Sequence, residues 1–196
     1  MDNATDPVRY TLSRPVETPP GLVFNYSGGS ATIIGRLLRE ATGQPLDTLA
    51  RIGLFEPLGI TEFEWDPIAS GEPAAVSGPR PRLRDTAKLG QLVLGGGMWH
   101  GTRVVPADWI AAATTPRVNA RDLRLYGYQF WLGRSLAHGR EVDWAAGVGY
   151  GGQRLCIVPA LDLVVLVHAG LYRSSMRGLV PLVVLNRFVL TAVKEP

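Results

Sequence analysis

The sequence predicts an α+β fold in which helices come first and an antiparallel sheet, flanked by helices, follows. Three observations carry this. Apolar residues recur at helical spacing from about Ser30 to Leu94, the period falls to two after Asn119, and Val164, Val165, Leu166 and Val167 run without a polar residue. Helices followed by strands indicate segregated α and β parts rather than alternating βαβ units. The chain reads as one partial domain, residues 1–196. Its part from about 20 to 120 is mainly helical, and its part from about 121 to 196 supplies the sheet strands and a C-terminal helix.

Each element has a local reason. Residues 1–22 are polar and Pro-rich and read as an extended lead-in. From Ser30 to Thr42, Ile33, Ile34, Leu37, Leu38 and Ala41 share one helical face, opposite Arg36, Arg39 and Glu40. Gly29 or Ser30 caps the start and Gly43 ends it. Pro45 opens a second helix, with Leu46, Leu49 and Ala50 inward, ending near Gly59. Residues 60–82 read as loop with one short strand, Phe63-Glu64-Trp65. A third helix, Leu83 to Leu94, stops at Gly95-Gly96-Gly97, and a hairpin from Trp99 to Arg103 leads to a fourth helix behind Pro106. Strands are expected at Tyr126–Leu132, Glu141–Ala145, Arg154–Val158 and Leu163–Ala169, the last pair closed at Pro159–Asp162. The last strand is so apolar that a central, buried position is expected. A helix from Arg177 to Val193 is expected to cover one sheet face.

Composition excludes several functions. The net charge is +3, and no basic stripe alternates with aromatics, so nucleic acid is not an expected partner. Cys156 is the sole cysteine and reads as a core residue of a strand, not a reactive thiol. His100, His138 and His168 lack ligand spacing, and no phosphate-cradling loop follows a predicted strand, so neither metal nor cofactor is expected. No segment is apolar enough to span a bilayer and the N-terminus has no signal-peptide core; as written, the chain reads as cytoplasmic, or as periplasmic or secreted if a signal precedes it.

Two glycine-rich stretches draw attention. Phe24-Asn25-Tyr26-Ser27-Gly28-Gly29 places a phenol at the start of a helix, which reads either as an address for acid–base chemistry or as a loop tyrosine with a satisfied hydroxyl. Gly147-Val148-Gly149-Tyr150-Gly151-Gly152 reads either as a bulged turn before a strand or as the floor of a pocket. Glu62, Glu64 and Asp66 alternate along one strand and read as a solvated face rather than a catalytic carboxylate pair. Trp99, Trp109, Trp131 and Trp144 read as core or rim packing.

These residues resemble a known family. Phe24 to Gly29 followed by Ile33-Ile34-Gly35 and Thr42-Gly43, then Leu54-Phe55-Glu56-Pro57-Leu58-Gly59, Arg84-Asp85-Thr86-Ala87-Lys88-Leu89-Gly90, Tyr126-Gly127-Tyr128-Gln129-Phe130-Trp131 and Gly147 to Gln153, are similar in order and spacing to the penicillin-recognising serine hydrolases. The branch they resemble holds the class C β-lactamases, esterases and 6-aminohexanoate-oligomer hydrolases. The resemblance runs from about Pro20 to the end and implies a β-lactamase/transpeptidase-like fold, incomplete at its N-terminus.

The resemblance also implies roles. In the family a Ser-x-x-Lys helix supplies the nucleophile, a tyrosine relays its proton and a strand lines the oxyanion hole. A free phenol titrates near ~10, so it serves as a base only beside a cation that lowers its pKa. Tyr26 matches the motif tyrosine. Ser27 and Gly28 line the pocket beside it, Gly28 standing where the family has asparagine. Gly147, Val148, Gly149 and Gly151 line the opposite wall, and the Tyr150 N–H points into the oxyanion hole. No cationic side chain stands at Gly147–Gly149, which favours a neutral ester or amide over a penicillin-like acid.

None of the eight serines is followed by lysine three residues later. The expected function is therefore the C-terminal part of a β-lactamase-related serine hydrolase acting through an acyl-enzyme, with the nucleophile motif absent and this chain inactive by itself. The alternative is a catalytically inactive scaffold that binds a ligand or another protein. Expected partners are a small-molecule ester or amide, and either a missing N-terminal segment or a second copy meeting apolar edges.

Overall fold

The computed structural model describes residues 4, 6–68 and 70–194. The chain divides into two compact units, residues 1–82 and 83–196, so the division falls inside the stretch expected to be one helical part.

In the first unit, α1 spans Pro7–Leu12, where an extended lead-in was expected. The Asp6 side chain accepts from the Arg9 N–H at 3.0 Å and Pro7 occupies the first turn, so a cap and a proline together start this helix. Helix α2, Gly28–Thr42, begins two residues earlier than predicted and ends at Gly43, whose φ of 68° suits a left-handed cap. It approaches its neighbours through its glycines. A Cβ on Gly29 would stand 2.5 Å from Thr11 of α1, and one on Gly35 would stand 2.6 Å from the Cβ of Ala75. The face that carries Ile34, Leu37 and Leu38 is consequently left exposed.

Helix α3, Leu46–Ala50, follows Pro45 and widens into a π-helical turn, Arg51–Phe55. Its inward residues Leu46, Leu49 and Ala50 are half-buried, whereas Phe55, Leu58 and Ile60 are fully buried, Phe55 meeting Phe63 edge-on at 4.7 Å. Strand β1, Phe63–Trp65, pairs antiparallel with β2, Pro79–Pro81, which the sequence reading left as loop. Glu64, Asp66 and Glu62 are exposed, as the solvated face expected of them requires, and in addition Glu64 and Asp66 bind Arg80 and Glu62 binds Arg82.

The second unit opens with α4, Leu83–Leu94. The hairpin β3, Met98–Trp99, and β4, Thr102–Arg103, follows, then α5, Ala107–Ala113, behind Pro106. Six antiparallel strands come next: β5 Val118–Asn119, β6 Leu125–Tyr126, β7 Trp131–Ala137, β8 Arg140–Val148, β9 Arg154–Val158 and β10 Leu163–Val167. Their spatial order is β10-β9-β8-β7-β6-β5. Two expectations are corrected. The strand foreseen from Tyr126 to Leu132 is broken between β6 and β7, because Gly127 is pressed against the Ala113 carbonyl and Gln129 takes a φ of 64°. The apolar β10 is an edge strand and only half-buried, not central.

Helix α4 lies against β9 and β10 at Gly90, where a Cβ would come within 2.6 Å of Val164 and 2.9 Å of Leu155. The C-terminal segment is helical but uneven: a 3-10 turn at Ser175–Gly178, α6 at Val180–Val183 and a π turn at Val184–Val189. It packs toward β7, with Leu185 and Leu190 fully buried. No helix among the described residues is long and apolar enough to cross a membrane.

Candidate active site

The residues singled out by sequence fall in the two units, Tyr26, Ser27 and Gly28 in the first and Gly147 to Gly151 in the second. In the first, Tyr26 stands two residues before α2 and is half exposed, at 52%. Ser27 is the N-cap residue, in extended conformation, and its hydroxyl makes no capping bond. Gly28 begins the helix, and its carbonyl accepts from the Thr32 hydroxyl at 3.0 Å. Tyr26 is thus carried at a helix start with about half of its surface exposed.

In the second unit, Gly147 and Val148 end β8 instead of preceding a strand as a bulged turn. They pair with Leu155 and Arg154 of β9. On the other side, the β7 ladder stops at Trp131 opposite Ala146. Gly147 and Val148 therefore have a strand on one side only, and a Cβ on Gly147 would meet nothing within 4 Å. A short length of strand edge without a ladder partner is a place where an extended acyl or peptide group can lie.

The loop beyond is held by a residue the sequence reading passed over as site machinery. The Gly149 N–H donates to the Gln153 carbonyl at 2.9 Å. Gln153 Oε1 accepts from the Gly151 N–H at 2.8 Å, and its Nε2 donates to the Ala169 carbonyl at 3.2 Å and the Tyr172 hydroxyl at 2.9 Å. The Gly151 carbonyl in turn accepts from the Leu171 N–H at 2.8 Å. A side chain on Gly151 would clash with the Tyr172 ring at 2.6 Å, and one on Gly149 with Gln153 Oε1 at 2.6 Å. Both glycines are there for close approach. The Tyr150 ring is exposed and carries the Arg177 guanidinium at 4.6 Å from its centroid. A glutamine directly after a glycine run was the available signal, since a side chain with both donor and acceptor can bridge a tight loop to its neighbours.

Cys156 is 1% exposed, as expected of a core residue, and burial raises its thiol pKa. Among the described residues no three His, Cys, Asp or Glu side chains gather as metal ligands.

Helices with an antiparallel sheet, and a glycine-lined strand end beside its turn, agree with the β-lactamase/transpeptidase-like fold that the comparisons establish. The family model described as Beta-lactamase matches residues 1–177, and the chain belongs to that family. Its structure is similar to that of a Bacillus anthracis protein provisionally named 6-aminohexanoate-dimer hydrolase, with TM-score 0.74, 22% identity, and 85% of this chain and 43% of that one covered. It is also similar to a penicillin binding protein from Bacillus halodurans, with TM-score 0.62, 17% identity, and 80% of this chain and 54% of that one covered. In sequence it is 33% identical over 57 residues to a protein of Escherichia coli K12 provisionally named D-alanyl-D-alanine carboxypeptidase, a match over 29% of this chain and 13% of that protein. The chain spans less than half the length of the first and third of these relatives. At such identities the structural likeness establishes the fold.

Proposed function

We propose that this chain is the C-terminal part of a β-lactamase-related serine hydrolase that cleaves ester or amide bonds through an acyl-enzyme. The family match over residues 1–177 carries the reading. Tyr26 is the proton-relay group, Ser27 and Gly28 line the pocket beside it, and Gly147, Val148, Gly149 and Gly151 form the wall along which the acyl group lies. The Tyr150 N–H donates to the oxyanion, a contribution worth about 3 kcal/mol in a complete site. The unpaired strand edge at Gly147 supports an extended acyl group lying there, and the lack of a cationic side chain in Gly147-Val148-Gly149 itself supports a neutral one. The exposed Ile34, Leu37 and Leu38 support further polypeptide packing on α2 in the complete enzyme.

The chain contains no Ser-x-x-Lys, so by itself it should not hydrolyse p-nitrophenyl esters. Joined to the polypeptide encoded upstream, it should hydrolyse them and leave a chromogenic cephalosporin intact. Tyr26→Phe in that protein should lower kcat about 100-fold or more. A fluorophosphonate adduct mapped to any residue of this chain would contradict the assignment, as would full activity of the Tyr26→Phe variant. The second reading, an inactive ligand-binding scaffold, is favoured by the same missing motif. A reading frame closed upstream, without Ser-x-x-Lys, would select it.

A further inference from the structure

A cluster of arginines in the second unit lies against tryptophan rings. Trp131 pairs with Ala146 and Ala146 with Cys156 across β7, β8 and β9. Trp144 and Arg154 are two positions along their strands from that row, so all five share one sheet face. Arg154 is 3% exposed, and its Nε and Nη1 are buried without a hydrogen-bond partner. Its guanidinium carbon stands 5.6 Å from the Trp144 ring centroid. Arg121 and Arg124, from the turn between β5 and β6, each place a guanidinium carbon 6.0 Å from the Trp131 ring centroid. Arg121 is exposed, Arg124 half-buried and Arg154 buried.

What the cluster lacks is an acid. Among the described residues no ion pair includes any of the three arginines. An indole face attracts a cation but offers no lone pair to the N–H groups of the guanidinium. The Cys156 sulfur accepts a side-chain hydrogen bond from Arg154, but burial keeps that thiol neutral, so it does not balance the charge or reach the Nε and Nη1 donors. Burial, with Arg124 nearby, weakens the hold of Arg154 on its proton, yet a guanidinium stays charged in proteins and an uncompensated buried charge is strongly unfavourable.

We propose that Arg154 and Arg124 form a site for a small oxyanion, a carboxylate or a phosphate, bound by their guanidinium groups while Trp144 and Trp131 back the far sides of those groups. Such an anion supplies several acceptor lone pairs and negative charge in one compact group, which is what the guanidinium donors lack. The cluster lies wholly within the second unit and needs no hydrolytic activity.

The test is thermal unfolding and calorimetric titration of the purified chain with inorganic phosphate and with acetate, each against chloride at matched ionic strength. One of the two oxyanions should raise Tm saturably where chloride does not, and the arm that responds identifies phosphate or carboxylate. Arg154→Met and Arg124→Gln should each weaken the apparent affinity at least tenfold. Arg134→Gln, at an exposed arginine paired with Asp143 and Glu141, should leave it unchanged. Should Arg154→Met fail to fold, Arg124→Gln and the shift of the Arg154 Nε–H resonance during titration still decide. Equal responses to phosphate, acetate and chloride, or an oxyanion response undiminished in the foldable variants, would overturn the site.

Discussion

The Gln153 side chain turns back onto Gly151, accepting its N–H at 2.8 Å while donating to Tyr172 and the Ala169 carbonyl. One amide therefore ties together the hairpin loop after β8 and the segment after β10. The Gly151 N–H is consumed in that tie. The N–H of Tyr150, one residue earlier, is the donor that the hydrolase reading assigns to the oxyanion.

Replacing Gln153 by Ala should loosen this loop without unfolding the sheet. Each lost hydrogen bond contributes about 1 kcal/mol. Hydrogen exchange at the Gly151 amide should quicken about tenfold or more, while that of the β8–β9 ladder stays slow. Unchanged exchange at Gly151 would show that the loop is held by something else.

Two glycines should respond in opposite ways to a side chain. Gly90→Val drives its side chain into Val164 and Leu155, already within 3 Å of a Cβ, and should cost about 1–3 kcal/mol in urea unfolding. Gly147→Ala places its methyl in open space and should be neutral or slightly stabilising, by up to about 1 kcal/mol, since glycine inside a strand is entropically unfavourable.

Cys156 should resist thiol reagents in the native chain. Burial raises its pKa, so the thiolate fraction at neutral pH falls below that of a free thiol, and burial also blocks approach. Labelling with a disulfide reagent should be slow in buffer and complete within the mixing time in concentrated urea. Rapid native labelling would show that the sheet opens readily.

Asp66 titrates below the usual carboxylate range, because it accepts from Arg80. Its folded-state pKa is depressed, so its share of stability is present above the unfolded pKa and lost as pH falls through the folded one. Asp66→Asn should flatten that part of the acid limb of a Tm-versus-pH curve. Carboxyl NMR of the wild type should give a midpoint for Asp66 below that of a free aspartate. Because Asp66 is exposed to solvent, the effect is small and sensitive to salt.

Much of this architecture was legible because its signals are local. The periodicity and glycine stop of α4, the left-handed cap at Gly43 and the turn between β9 and β10 each involve neighbours in sequence. The misread elements depend on distant partners. β2 exists because Arg80 and its flanking prolines meet β1. The strand at Tyr126 breaks because Gly127 meets the carbonyl of Ala113, in a different helix. β10 looked central because apolarity reports burial of faces and is silent on whether an edge has a neighbour. Helix α1 is an exception, since its start is a local Asp–Pro signal present in the sequence.

For the site, Tyr26 and the glycines from Gly147 to Gly151 were put forward by their glycine-rich surroundings, which left two readings of each open, and by the family resemblance, which chose between them. Only tertiary structure set Gln153 as the clasp of that loop, ended the β7 ladder at Ala146 so that Gly147 has a strand on one side only, and brought Arg121, Arg124 and Arg154 onto two indoles with no ion pair to any of them among the described residues. Sequence specifies which groups are present and what each short segment prefers. Which donors find acceptors is decided by packing between strands far apart in the chain, and no local pattern encodes it.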